Sequence, residues 1–351
     1  MKMLMLCLAS VVFITCTHRP RSENSINRII SSIDTFPVPS SVRALQVVDE
    51  RTIWFAGSNG VYGYTENGGR SWQIDSIPGD SIAPHFRSVA VTADAVFMLC
   101  IGSPAIVYKS GDKGNTWRTV YRENHPDAFY NSMKFWNDQE GIAMGDPTDG
   151  CLSILITNDG GETWRKLPCS QLPATAEGEA AFAASNSNIA LSGSHAWVVT
   201  GGAKARIFHT PDKGQTWAVY ETPIAQGGKM TGIFSTDFYD ENNGIIFGGN
   251  WEAQQENARN KAITQDGGRT WKLVADGSEP GYRSCVKYIP GGNGRELIAV
   301  GTPGISYSGN GGQSWKELSA ESFYAIDFSK DGKIAWVAGN NKIGKITWSS
   351  N

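Results

Sequence analysis

The chain reads as an all-β protein, a single closed seven-bladed β-propeller of four-stranded antiparallel blades. Three observations predict it. The pattern Ser/Thr-x-Asp/Asn-x-Gly-x-Ser/Thr-Trp occurs six times, beginning at Thr65, Ser110, Thr157, Thr210, Thr264 and Ser308. Successive copies start 45, 47, 53, 54 and 44 residues apart, the length of one propeller blade. Around each copy the sequence reads strand, turn, strand, loop, strand, box, strand, with short apolar runs separated by Gly, Asn and Asp.

Each box predicts a hairpin turn. The Asp or Asn at its third position can accept hydrogen bonds from backbone N–H groups two or three residues on. Glycines such as Gly68, Gly161 and Gly268 supply positive φ without a Cβ penalty. The Ser and Thr hydroxyls cap remaining backbone groups, and the Trp packs its indole between neighbouring sheets. One carboxylate per turn offers too few hard ligands for a metal, so no metal site is expected.

The first unit has strands at 43–48, 52–56, 60–64 and 72–77. Its inner-strand phrase recurs at 87–92, 131–136, 180–185, 234–239, 284–289 and 324–328, giving seven inner strands for six boxes. The seventh unit, 323–348, ends after three strands. Ile33-Asp-Thr-Phe-Pro37 resembles Ile74-Asp-Ser-Ile-Pro78, the outer strand of unit one. The N-terminal strand is therefore expected to supply the missing fourth strand and close the ring, which protects sheet edges.

The repeated box is the Asp-box, or BNR repeat, and the chain resembles Asp-box propellers over about residues 28 to 348. That group includes sialidases and the photosystem II stability/assembly factor family. The stretches VRALQVVDERTIWFAGSNGVYGYTENGGRSW and FYAIDFSKDGKIAWVAGNNKIGKI look most like the assembly-factor branch. This resemblance implies help in assembling a membrane complex. The Arg-Ile-Pro that marks sialidases has no match at Arg43-Ala-Leu or Arg87-Ser-Val.

The first residues read as a targeting segment. Lys2 precedes an apolar run, 3–15, of signal-peptide length and too short to span a bilayer comfortably. Phe13-Ile14-Thr15-Cys16 resembles a lipoprotein cleavage site, implying cleavage before Cys16 and acylation on it; ordinary secretion is the other reading. The organisation expected is 1–15 signal peptide, 16–27 polar tether and 28–351 propeller, an exported and lipid-anchored monomer of the bacterial cell envelope.

Removing residues 1–15 takes the formal charge from −3 to −4, so there is no electrostatic case for nucleic acid. His18, His85, His125, His195 and His209 form no metal signature. With no dinucleotide fingerprint after a strand and no Cys-x-x-Cys, nothing supports an oxidoreductase, and no cofactor is expected. Hairpin pairing about the box at 157–164 sets Cys151 opposite Cys169, within disulfide range in an exported protein. Cys100 and Cys285 lie in apolar strands and read as inert thiols.

The boxes are uniform, whereas the loops of the opposite face vary: 78–86, 121–130, 145–150, 168–179, 222–232 and 248–261, the last with Trp251. That variation places the binding face there. Polar residues also start the inner strands, where apolar ones would suffice: Arg43, Arg87, Asn131, Glu179, Arg283 and Tyr324. Converging on one channel mouth, they suit an anionic or sugar-like ligand. The favoured function is a non-catalytic ligand- or protein-binding module, with Arg43, Arg87, Asn131, Arg283 and Trp251 binding. The alternative is a glycan-active enzyme, a hydrolase or lyase, with Glu179, Asp146 and Tyr324 as its reactive groups.

Overall fold

The structure is a computed structural model that describes residues 28–79 and 83–350. The expected signal peptide, Cys16 and the tether lie outside the described residues. Every described element is a β-strand except one short 3-10 turn at Cys169–Gln171. Neighbouring strands pair antiparallel in four-stranded runs set around a central axis.

The expected count of seven separate blades is corrected by the hydrogen bonding, which joins the strands into six sheets. Four sheets have four strands and two have six. The physical reason lies at the chain ends. Arg28–Val47 is one continuous strand whose first part pairs with Ala335–Ser350, with Asp34 opposite Lys345 and Phe36 opposite Ile343. Its last part pairs with Ile53–Gly57, Leu45 opposite Phe55. The first and last sequence units thus fuse into a single sheet. An irregularity between Pro37 and Ser41 turns the strand between the two pairings, and the apolar cluster of Val38, Val42, Phe55, Trp336 and Ile343 fills the turn. This continuous strand is also what closes the ring.

The repeated turns hold themselves shut by one recurring set of bonds. The first-position hydroxyl accepts from the fifth-position N–H: Gly69 N to Thr65 Oγ1 at 3.1 Å, and Gly114 N to Ser110 Oγ at 2.8 Å. The third-position carboxylate accepts from the N–H four residues on, and in three boxes also from the N–H three residues on, as expected. Thr116 N reaches Asp112 Oδ1 at 2.8 Å, while Thr116 Oγ1 reaches Oδ2 at 2.7 Å. The reach extends to four residues because positions four and five are both left-handed, even where position four is lysine: Lys113 has φ 58° and Lys213 φ 56°. Gly161 has φ 71°, and a Cβ there would sit 2.4 Å from the Phe97 ring. The turn is therefore pressed against the neighbouring sheet, and glycine is required by space as well as by φ.

Each box Trp then spans an interface. Trp315 meets Phe247 of the fifth sheet edge-on at 5.5 Å, and Trp117 meets Tyr62 of the first at 5.1 Å. Near the axis, side chains of the inner strands latch the next strand's backbone. Val91 N donates to Gln46 Oε1 at 2.9 Å, Tyr288 N to Asp237 Oδ2 at 2.8 Å, and Val47 N to Asp327 Oδ2 at 2.8 Å. These bonds, in a low-dielectric setting, fix the rotation of one run of strands against the next.

One inner strand departs from expectation. The fourth unit was expected to begin it at 180–185, but the strand that pairs there is Ile189–Ser192, Ile189 opposite Val198. The residues before it cross the axis. Arg43 Nη1 donates to the Ala184 carbonyl at 3.1 Å, and Asn186 Nδ2 to the Leu45 carbonyl at 3.2 Å, both from the first sheet. Ser132 Oγ of the third sheet donates to the Asn186 carbonyl, and Ser185 Oγ donates to Ser284 O of the sixth. Phe182 stacks on Phe234 of the fifth at 4.0 Å. Residues 182–188 are thus a plug tied to four other parts of the ring.

Candidate functional site

The inner strands begin on the face opposite the repeated turns, and the plug fills the channel mouth there. Around it the structure separates residues that the sequence grouped together. Arg43 and Arg87 share the mouth with Tyr324. The Arg43 guanidinium lies 3.9 Å from the centre of the Tyr324 ring, a cation–π contact. Burial, with the adjacent Arg43 charge, pushes Arg87 down to about 10. Arg87 Nη1 donates to the Phe86 carbonyl at 3.1 Å. Among the described residues neither arginine has a carboxylate within ion-pair distance. Two half-buried guanidiniums held together without a counter-charge form an anion-seeking site.

Beside them stands an aromatic wall made of Phe182, Phe234 and Tyr282, with Met230 and Ala184 packed against it. Tyr282 meets Phe234 edge-on at 4.7 Å. The 248–261 loop approaches through a Trp251 N–H to Met230 carbonyl bond of 3.0 Å, and Trp251 is 46% exposed. This exposed aromatic, which the sequence singled out, is tied by its backbone to Met230, which packs against the wall.

Arg283 is elsewhere. It is buried inside the sixth sheet, donating to the Tyr282 carbonyl at 2.8 Å and to Ser306 Oγ at 2.9 Å. Burial pushes it down to about 10, and its Nε has no partner among the described residues. It braces the wall from behind. Asn131 is fully buried, donating to Asp146 Oδ1 at 2.9 Å.

Glu179 and Asp146 belong to a second, open cleft with Asp127 and Glu177. Burial raises Asp146 to about 6, opposed by the Ala181 N–H and Asn131 bonds. Glu179 is saturated. It accepts both Arg206 nitrogens, Thr200 Oγ1 at 2.7 Å and Ala176 N at 2.9 Å. Sequence reasoning missed Arg206, because a lysine-or-arginine position beside a box strand carries no distinctive pattern. Tyr324 faces Arg43 instead of a carboxylate, so the Tyr–Glu pair of the glycan-active alternative is not assembled.

A disulfide joins Cys151 and Cys169, with 5.5 Å between the Cα atoms. It ties the loop 168–179, and so the second cleft, to the third sheet. Among the described residues no group of three metal-ligating side chains occurs, and no helix is long and apolar enough to cross a membrane.

The fold and these surfaces define a β-propeller. A solved structure of "YCF48 bound to D1 peptide" is similar to this chain at TM-score 0.65 and 17% identity, covering 90% of this chain and 96% of that one. A structure of "YCF48 from Cyanidioschyzon merolae" matches at TM-score 0.63 and 14% identity, covering 90% and 98%. The WD40 repeats of RRP9 match at TM-score 0.63 and 12% identity, covering 92% and 100%. No protein-family model and no curated protein sequence matches the chain.

Proposed function

We propose that this protein is a polypeptide-binding propeller that grips an acidic segment of a partner at its plugged mouth. The observation that carries this reading is the pair Arg43 and Arg87, uncompensated by any described carboxylate and set beside an aromatic wall with an exposed Trp251. Guanidiniums offer bidentate bonds to carboxylates, and flanking aromatics supply desolvated contact area. The plug makes the mouth a floor, so the ligand lies across it instead of threading the channel. The likeness to a propeller solved with a bound D1 peptide supports a peptide as the ligand class.

We further propose that the protein works at the envelope membrane, held by a lipid on Cys16 after removal of residues 1–15. The apolar run and its cysteine support this. Assembly of a membrane complex is the function that fits both proposals. The test is photocrosslinking in native envelopes from a probe placed at Trp251, compared with a probe at Ile74 on an outer strand. A partner polypeptide captured at Trp251, and lost in the Arg43→Gln/Arg87→Gln variant, supports the reading; equal capture from both positions contradicts it.

A further inference from the structure

Below the plug, toward the repeated turns, the axis holds a cavity of about 240 Å³. Leu45–Val47, Val89–Val91, Met133–Phe135 and Ile326–Phe328 line it, and Asn186 of the plug roofs it. Three charged groups line this ring, Lys134, Lys287 and Asp327, and Asp237 stands behind Lys287. They are not arranged as two equal ion pairs.

Lys287 Nζ lies 3.6 Å from Asp237 Oδ1. Each carboxylate is anchored by a backbone amide, Asp237 by Tyr288 N and Asp327 by Val47 N. Lys134 touches the Lys287 side chain and, among the described residues, has no carboxylate within ion-pair distance. Burial disfavours the charge on both lysines. For Lys287 the two aspartates outweigh it and raise its affinity for a proton. For Lys134 burial prevails, helped by Lys287 and opposed by Asp237 and Asp327, and brings it down to about 8.

We propose that Lys134 is a carbonyl-reactive amine and that the axial cavity is a site for a small aldehyde or α-keto acid. A desolvated amine beside a second, firmly charged ammonium is the arrangement that leaves a lysine nucleophilic near neutral pH. The Lys134 nitrogen attacks the carbonyl carbon, forming the C–N bond as the π pair moves to oxygen. That oxygen takes a proton from the Lys287 ammonium, and Lys287 takes one back from the new N–H₂⁺. A second proton from Lys287 lets the hydroxyl leave as water; loss of the remaining N–H proton returns it, giving the imine. Amine plus carbonyl thus gives imine plus water, with no oxidant or reductant.

Lys261 is the internal contrast. Burial lowers it to about 8 as well, but its ammonium is held by donating to Asn260 Oδ1, Ser278 O and Pro280 O.

The test is reductive labelling of the full-length protein with glyoxylate and cyanoborohydride, mapped by peptide mass spectrometry. At pH 8 the account predicts labelling of Lys134 at least tenfold faster than of the exposed Lys113 and Lys333, with Lys261 unlabelled. The Lys134 rate levels off above pH 8, while the surface rates keep rising. Lys287→Met, checked by thermal melting to be folded, lowers the Lys134 rate at pH 8. Labelling of Lys134 no faster than of Lys113, or a rate unchanged in folded Lys287→Met, overturns the proposal.

Discussion

Arg43 donates from the first sheet to the Ala184 carbonyl, 141 residues along the chain and on the other side of the axis, at 3.1 Å. The same guanidinium covers the Tyr324 ring. One side chain therefore holds the plug and half of the candidate anion site, and ligand binding and plug order are physically linked.

The plug's hold on the ring is testable by truncation. Phe182→Ala removes a ring stacked at 4.0 Å on Phe234 and is expected to lower stability by about 3 kcal/mol. Denaturant titration checks it, and the Arg43-dependent binding should weaken in parallel.

Turn glycines differ in what a side chain would meet. Gly161→Val combines positive φ with a Cβ 2.4 Å from Phe97, and a loss of about 3–5 kcal/mol is expected. Gly150→Ala has φ 89° and open space, so strain alone acts and about 1 kcal/mol is expected. Thermal melts of the two variants should rank in that order.

Deleting residues 28–38 removes the strand that pairs with Ala335–Ser350 and exposes the Trp336 and Ile343 side of the first sheet. The expected outcome is loss of the single cooperative melting transition. Calorimetry would read it directly.

Two buried groups give opposite pH effects in one window. Asp146 is raised from 3.8 to about 6, so the folded state binds the extra proton and stability falls as pH rises from about 4 to 6. His209, lowered by burial and by His195 to about 4, is neutral in the fold, so its contribution is lost as pH falls from about 6.5 to 4. These two contributions oppose one another across this range. Asp146→Asn should become less stable on acidification, and His209→Phe should become more stable on acidification, by urea midpoints at pH 4.5 and 7.

The hairpins and their tryptophans were legible because each is a local event, encoded within eight residues and repeated. The disulfide partners were legible from their nearness to the same turn, although Cys169 sits in the 3-10 turn beyond the paired strand and Cys151 bridges Ala174 instead. The sheet count was not, because continuity of a strand through Pro37 to Ser41 is decided by pairing with Lys342 and Asn340 at the far end of the chain. The mouth was half legible. Polar residues at the inner-strand starts marked Arg43, Arg87 and Tyr324, but the same signal marked Arg283 and Asn131, which turn into the sheets. Only the path of residues 182–188 distinguishes them, and no periodicity announces a segment that crosses an axis.

The most direct test of the binding account is fluorescence polarisation with acidic, neutral and basic peptides on the purified protein. Acidic peptides should bind and lose affinity as salt rises. Arg43→Gln/Arg87→Gln should weaken them at least tenfold while the melting temperature moves by only a few degrees. Acidic and neutral peptides binding equally, or a folded double variant that binds as tightly as wild type, would contradict it.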